Sequence, residues 1–190
     1  MCLSIRHDMP WRTSFDGDGT APPQQGRWDV IRVTTAAEMR DAVIPRAGRA
    51  DIVIMAAAVA DYAPASAPQQ KIHKGSDDLT LSLVRTPDIL AELGAERDGG
   101  ERPLLIGFAA ETTDVVASAR RKQREKNVDL VVANDVSRSD AGFDVDTNEV
   151  TLITADGEEA LPLQSKSAVA AQVVQRIELL LSRSRASVRT

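Results

Sequence analysis

The sequence is poor in the residues that build disulfide frameworks and metal centres. It has one cysteine, Cys2, and two histidines, His7 and His73, among 190 residues. A single cysteine excludes a disulfide within the chain and a zinc site made of several cysteines. Two histidines argue against a histidine-rich metal centre.

Long apolar runs and several common catalytic fingerprints are missing as well. No stretch approaches the roughly 20 apolar residues of a membrane span, and the amino terminus has no apolar signal core, so we expect a cytoplasmic protein. The sequence contains no Gly-x-Gly-x-x-Gly, Gly-x-x-x-x-Gly-Lys-Ser/Thr or Gly-x-Ser-x-Gly. This argues against dinucleotide, P-loop and serine-hydrolase sites, and leaves a nicotinamide-dependent reductase only a weak alternative. The net charge of -5 argues against a general nucleic-acid binder.

What remains is a succession of apolar strands and amphipathic helices. Hydrophobic residues make up 43% and charged residues 27%, typical of a globular domain, and 190 residues can bury a sizeable core. Strands alternating with helices predict an α/β, Rossmann-like three-layer fold with a mainly parallel sheet and helices on both faces. We divide the chain into an irregular segment at 1–27, the α/β domain at 28–182 and a flexible tail at 183–190.

Local signals place two helices and an extended flap. A capping box of Thr35 and Glu38 predicts a helix that ends at Pro45 and Gly48. Thr86-Pro87-Asp88 predicts a second helix start, with Thr86 as the cap. The long connection at 61–78 predicts a functional lid or a disordered segment, and the alternating segment 79–84 predicts an edge hairpin or a flap. In 1–27 only the segment 2–5 has the pattern of a strand.

Three buried strands end in the same way, in small residues followed by polar ones. The apolar run from Asp51 passes through Ala56–Ala60 to Asp61, and two later strands lead to Glu111 and to Asn134-Asp135. Parallel strands bring their carboxyl ends to one edge of a sheet, where open α/β sheets bind ligands. On this pattern alone the alternative stays open that the alanines are small for packing. The polar and aromatic groups predicted at this rim are Asp61, Phe108, Glu111, Asn134 and Asp135.

Lysines flank the predicted crevice. Lys122 and Lys126 are four residues apart and share one helix face, while Lys71 and Lys74 lie on the loop after Asp61. A solvated basic surface is the alternative interpretation of each pair. A nucleoside triphosphate with its Mg²⁺ would use both kinds of group, lysines on the phosphates and acids on the metal or its waters.

Seven motifs, in order over residues 28–182, closely resemble the phosphopantothenoylcysteine synthetase family. They are Ala56-Ala-Ala-Val-Ala-Asp-Tyr62, Lys71-Ile-His-Lys74, Thr86-Pro-Asp-Ile-Leu90, Gly107-Phe-Ala-Ala-Glu-Thr112, Lys122 to Lys126, Val132-Ala-Asn-Asp135 and Phe143-Asp-Val-Asp-Thr-Asn148.

The resemblance implies a ligase of coenzyme A biosynthesis. Such an enzyme joins 4′-phosphopantothenate to cysteine using CTP, through an acyl-cytidylate, and releases CMP and pyrophosphate. It also implies a homodimer, and a flavin-dependent decarboxylase domain encoded upstream. Lys71, on the flap, and Asp61 are the implied catalytic residues. The implied nucleotide contacts are Met55, Ala56, Ala57, Asp61, Lys71, Pro87, Asp88, Ile89, Leu90, Phe108, Lys122 and Lys126.

The sequence departs from the family at its amino-terminal part. Family members carry an Asn-x-Ser-Ser-Gly stretch that binds phosphate, and residues 1–27 contain nothing like it. His73 also stands where the family commonly has a lysine. The alternative function is therefore a non-catalytic nucleotide-binding or dimerising fragment of the same family.

Overall fold

The computed structural model describes residues 2–5, 11–16, 27–66, 70, 79–97, 103–137 and 146–187. For 2–5, 11–16, 27–28 and 185–187 it describes the backbone alone. The strands are β1 (Cys2–Ile5), β2 (Trp11–Asp16), β3 (Arg27–Arg32), β4 (Ile52–Met55), β5 (Tyr62–Pro64), β6 (Leu83–Arg85), β7 (Leu104–Glu111), β8 (Leu130–Asp135), β9 (Thr147–Thr154) and β10 (Gly157–Ser165). The helices are α1 (Ala36–Ala47), α2 (Ile89–Glu96), α3 (Val115–Glu125) and α4 (Lys166–Ser187).

Eight strands form one mixed sheet in the order β10-β9-β8-β7-β4-β1-β2-β3. The central pairs β4–β7 and β7–β8 are parallel, as are β2 and β3. The remaining pairs are antiparallel, with β1 between β2 and β4 and with β9 and β10 at the other side. The parallel centre carries the buried strands that the apolar runs predicted.

Alternate residues of the central strands face opposite sides of the sheet. Val53, Leu105 and Val131 pack in one core with α1, α2 and α3. Their sequence neighbours pack in a second core against α4, through Val169, Val173 and Ile177 among others. A strand exposes successive side chains to opposite faces, so an unbroken apolar run is the signature of a strand covered on both sides. The predicted three-layer α/β fold is confirmed.

Several local expectations need correction. Residues 1–27 contain a second strand, β2, beside the expected β1. Pro45 lies inside α1, near its end, and so does not end it. The N-cap of α2 is Asp88 and not Thr86. The helix α4 continues to Ser187, five residues into the predicted flexible tail. The division of the chain at residue 28 stays a prediction.

The predicted capping box at the start of α1 is present. Glu38 N donates to Thr35 Oγ1 at 3.1 Å, and Thr35 N donates to Glu38 Oε2 at 3.1 Å. The two hydrogen bonds satisfy backbone donors that a helix start leaves without partners. The strands β3 and β4 on either side of α1 run in the same direction, but β1 and β2 lie between them in the sheet.

A separate two-stranded sheet corresponds to the predicted flap. β5 and β6 pair antiparallel, with Tyr62 opposite Arg85 and Pro64 opposite Leu83. The pairing is shorter than the alternating segment 79–84 suggested. None of the described helices is long and apolar enough to cross a membrane.

Candidate active site

A cavity of about 260 Å³ opens at the carboxyl ends of β4 and β7. Four parts of the chain contribute to its wall: the loop after β4, the turn that begins α2, the end of β7 and the last turns of α3. The residues that line it are Met55, Ala57, Ala58, Val59, Asp61, Thr86, Pro87, Asp88, Ile89, Leu90, Phe108, Ala109, Ala110, Lys122 and Lys126.

The cavity brings together most of the predicted nucleotide contacts. Ala56 does not line it, and Lys71 lies outside the described residues. The sequence reasoning missed Ala58, Val59, Thr86, Ala109 and Ala110. Four of these lie inside the two small-residue stretches that mark the strand ends, so that signal was available. The sequence predicts Thr86 as a helix cap, whereas the structure places it in the cavity wall.

The helix α2 reaches the cavity because two glycines let it approach closely. A Cβ on Gly107 of β7 would lie 2.7 Å from Leu90 Cδ2, and a Cβ on Gly94 of α2 would lie 1.9 Å from the carbonyl oxygen of Lys126. Any side chain at either position would displace its neighbour. These contacts set the amino terminus of α2, with Pro87 and Asp88, opposite the lysines of α3.

Each cavity lysine is paired with a carboxylate. Lys126 Nζ lies 2.8 Å from Asp88 Oδ2, and Lys122 Nζ lies 2.7 Å from Glu111 Oε1. The second contact is an ion pair without the alignment of a hydrogen bond. An ammonium group has three donors, so either lysine can keep its carboxylate while it donates to a further anion. The lysine wall is therefore held in place by protein groups and still has donors for a ligand.

Asp88 joins the two helices that border the cavity. Its Oδ1 accepts a hydrogen bond from Ala91 N at 3.1 Å, which caps α2, and its Oδ2 contacts Lys126. Burial acts to raise the pKa of Asp88. Hydrogen bonds from Lys126 and Ala91, together with the charges of Lys126 and Lys122, outweigh burial and lower that pKa below its ordinary value. Asp88 is thus held in its charged form.

The other three predicted rim residues do not line the cavity. Glu111 and Asp135 are register partners at the ends of β7 and β8, and Ala110 pairs with Asn134. Asp135 Oδ1 accepts hydrogen bonds from the backbone N and the hydroxyl of Ser137, which closes the turn after β8. Glu111 is linked to the cavity through its ion pair with Lys122.

The base of the flap is tied to the cavity wall. Thr86 N donates to the carbonyl oxygen of Asp61 at 3.0 Å, and the Thr86 hydroxyl donates to the carbonyl oxygen of Ala60. The β5–β6 ladder begins at the next residues, where Tyr62 pairs with Arg85. The loop that carries Asp61 and the segment that begins α2 are therefore held together at the point where the flap leaves the domain.

A second, larger cavity of about 560 Å³ adjoins the first. The two share the residues Ala57, Ala58, Val59 and Thr86. Within the described part of the chain, no group of three His, Cys, Asp or Glu side chains could hold a metal ion. Of the carboxylates near the first cavity, Asp88 and Glu111 are paired with lysines, and Asp135 accepts hydrogen bonds in a turn.

A family model supports the placement of this chain. Residues 16–180 match the DNA/pantothenate metabolism flavoprotein C-terminal domain. The chain belongs to this family. The match covers most of the sequence and includes all the residues that line the first cavity.

Curated proteins of this family are longer than the chain. The chain is 46% identical over 153 residues to the coenzyme A biosynthesis bifunctional protein CoaBC of Vibrio vulnificus strain YJ016, and 45% identical over 157 residues to that of Bacillus subtilis strain 168. These alignments cover 80% and 82% of the chain but 38% of each relative. The chain thus spans well under half the length of these bifunctional relatives.

Solved structures of the family have the same fold. The C-terminal domain of a coenzyme A biosynthesis bifunctional protein CoaBC superposes with a TM-score of 0.70 at 37% identity, covering 90% of the chain and 74% of that structure. The DNA/pantothenate metabolism flavoprotein from Streptococcus pneumoniae superposes with a TM-score of 0.69 at 18% identity, covering 88% and 78%. At that identity the second likeness shows the fold alone.

Proposed function

We propose that the chain is a phosphopantothenate–cysteine ligase domain of coenzyme A biosynthesis that uses CTP. The carboxylate of 4′-phosphopantothenate attacks the α-phosphorus of CTP, and pyrophosphate leaves with the electrons of the broken P–O bond. The amine of cysteine then attacks the acyl carbon of the acyl-cytidylate and releases CMP. The product is 4′-phosphopantothenoylcysteine.

The observation that carries this proposal is the meeting of two lysines with the small-residue strand ends in one cavity of a family member. Lys122 and Lys126 lie on one wall, and Phe108, 46% exposed, lies on the end of β7. Lysines provide charge-assisted donors for phosphates, and an exposed aromatic face can stack on a base. The curated relatives are named for coenzyme A biosynthesis.

Each part of the wall has a role in this reaction. The ammonium groups of Lys122 and Lys126 hold the triphosphate and offset the negative charge that builds up as the α-phosphorus is attacked. Ala57 brings backbone close to the ligand because little side chain intervenes, and Met55, which is buried, adds to the wall at the end of β4. The first turn of α2, Pro87 to Leu90, closes the opposite wall. The larger cavity then lies next to the site of acyl transfer.

Asp61 and Lys71 are our candidates for catalytic residues. Asp61 lines the cavity, is exposed, and stands at the base of the flap. Lys71 belongs to the flap connection outside the described residues, so its role rests on its motif. A closed flap would keep water from hydrolysing the acyl-cytidylate.

Magnesium accompanies nucleoside triphosphates, but the described residues offer it no cage of three ligands. Magnesium prefers octahedral oxygen ligands and commonly keeps several waters. An ion delivered with CTP would therefore rely on phosphate and water oxygens.

The β5–β6 sheet supports the proposal of a homodimer. Tyr62, Leu83 and Val84 are each at least half exposed there, and Leu79 and Leu81 before β6 are exposed as well. An isolated two-stranded sheet is only marginally stable in water, so this one gains from a partner surface. Light scattering after size exclusion should give twice the chain mass of 20.5 kDa.

The test is pyrophosphate release with CTP, 4′-phosphopantothenate and cysteine. Release should require both CTP and 4′-phosphopantothenate, since the first half-reaction needs no cysteine, and CMP should form stoichiometrically with the amide product once cysteine is added. ATP in place of CTP measures base selectivity. CTP binding without pyrophosphate release would overturn the ligase assignment and support the non-catalytic fragment. A chain that binds neither CTP nor inorganic tripolyphosphate would overturn both.

A further inference from the structure

The carboxyl-terminal end of α3 is held by α2 at two separate points. At one point, Asp88 at the amino terminus of α2 contacts the side chain of Lys126, with 2.8 Å between Oδ2 and Nζ. At the other, Asn127 Nδ2 donates to the carbonyl oxygen of Gly94, in the last turns of α2, at 3.0 Å. We call Asp88, Gly94, Lys126 and Asn127 the α2–α3 clamp.

The backbone contact in the clamp is unusually close. A Cβ on Gly94 would lie 1.9 Å from the carbonyl oxygen of Lys126 and 3.3 Å from Asn127 Cβ, so there is room only for glycine. Asn127 has a φ of 48°, in the left-handed region that ends many helices and that asparagine tolerates. Arg97 Nη1 donates to the carbonyl oxygen of Asn127 at 3.2 Å. The turn after α3 is thus seated against α2 on both its side-chain and main-chain groups.

The clamp fixes both the backbone of Lys126 and the position of its ammonium group. Lysine loses much rotamer freedom when it holds one geometry, and that entropy cost falls when its backbone is already set relative to its partner. The amide of Asn127 sets the backbone of Lys126 against α2, and Asp88 at the other end of α2 then receives Nζ.

We propose that Asn127 is a positioning residue for the phosphate-binding lysine Lys126, an inference that rests on the proposed nucleotide site. Asn127 itself does not line the cavity. It acts by seating the turn after α3 on Gly94, so that Nζ lies beside Asp88 and keeps free donors for a phosphate.

The variant Asn127→Gly separates this role from helix capping. Glycine adopts the left-handed conformation at least as well as asparagine, so the turn keeps its shape and loses only the amide. The matched control is Gln123→Ala. Gln123 Nε2 donates to the carbonyl oxygen of Val128 at 2.7 Å, so this change removes an amide-to-backbone hydrogen bond from the same helix end without touching α2.

Two measurements follow, one with a ligand and one without. Inorganic tripolyphosphate should bind Asn127→Gly about fivefold more weakly than the parent, the size of one hydrogen bond, and Gln123→Ala unchanged. In a Lys126→Met background, Asn127→Gly should cause no further loss. Without ligand, an NMR titration of the Asp88 carboxyl carbon should show its pKa rising toward the ordinary value in Asn127→Gly and staying low in Gln123→Ala. Lys122, which also faces Asp88, is unchanged in all these proteins.

An unchanged pKa of Asp88 in folded Asn127→Gly overturns the proposal, as does an equal loss of tripolyphosphate binding with and without Lys126. If Asn127→Gly does not fold, the same comparisons are made in sucrose, which favours the folded state because it is excluded from the protein surface. If the parent protein binds no tripolyphosphate, the proposed function fails, while the pKa comparison still decides the role of Asn127.

Discussion

Replacing each cavity lysine with alanine is the most direct test of whether Lys122 and Lys126 bind phosphates. Lys122→Ala and Lys126→Ala each remove one ammonium group from the cavity. A hydrogen bond to a charged group contributes about 1.5–3 kcal/mol, and exposure lowers its worth. The lysine side chains are 39% and 27% exposed. We therefore expect each change to weaken CTP binding by about 1–2 kcal/mol, or roughly 5- to 30-fold in Kd.

The assay is calorimetric titration with CTP and with inorganic tripolyphosphate. If the lysines bind phosphates, both ligands should lose affinity by similar factors, and the loss should shrink as salt screens the charges. Arg121→Ala is the matched control, because it removes one positive charge from the same helix at an exposed position that does not line the cavity. Unchanged affinity in both lysine variants, or an equal loss of affinity in Arg121→Ala, would refute phosphate binding by Lys122 and Lys126.

The two lysine variants should differ in stability. Glu111 is only 17% exposed, so Lys122→Ala leaves a buried carboxylate without its cation, whereas Asp88 is 51% exposed and can turn to water when Lys126 is removed. A buried charged group left unpaired costs about 1–3 kcal/mol. Lys122→Ala should therefore lower the free energy of unfolding in urea by about 1 kcal/mol more than Lys126→Ala. Equal losses would show that Glu111 does not depend on Lys122.

Three further changes test how the site is built. Asp88→Ala should cost about 1 kcal/mol of stability through the lost helix cap, while Asp88→Asn keeps an acceptor for Ala91 N. Because the fold lowers the pKa of Asp88, the charge of Asp88 contributes fully to the free energy of unfolding above the ordinary pKa. This contribution is lost as the pH falls through the lowered pKa. The free energy of unfolding of Asp88→Asn should lack this dependence on acid. Gly107→Ala should push Leu90 toward the cavity, because the new Cβ would lie 2.7 Å from Leu90 Cδ2. The change should lower the free energy of unfolding by about 1 kcal/mol, measured by thermal unfolding, and weaken CTP binding. Unchanged stability and affinity would mean that Leu90 adapts freely. Asp129 accepts hydrogen bonds from Arg97 and from Leu105 N, both at 2.7 Å. Arg97→Met leaves the Asp129 carboxylate without its cation and should lower the free energy of unfolding in urea by about 3 kcal/mol. The loss should be smaller when Asp129→Asn is added.

The order and type of the central elements could be read from local pattern. Apolar runs at β4, β7 and β8 are buried on both faces, so their composition reports their place in the sheet directly. The capping box of α1 follows from chemistry within a few residues. The motifs at 56–62, 86–90 and 107–112 likewise supply most of the residues that line the first cavity.

Pairing between distant residues could not be read in this way. The sequence predicted a gathering of Asp61, Glu111 and Asp135, but which carboxylate meets a lysine depends on the approach of α2 and α3. That approach is set by Gly94 and Gly107, whose missing side chains leave no local pattern of their own. The role of Thr86 likewise depends on a distant residue. Its hydroxyl donates a hydrogen bond to the carbonyl oxygen of Ala60, 26 residues earlier, and does not cap α2.

The sequence alone determined the α/β class, the family and the strand ends that border the first cavity, because each of these is encoded in the type and spacing of neighbouring residues. Only the tertiary structure decided that Asp88 and Glu111 pair with Lys126 and Lys122, that Asn127 holds the end of α3 against α2, and that two cavities share one wall. These features depend on distances between segments that are far apart in the chain, and such distances follow from the packing of helices on the sheet and not from any single stretch.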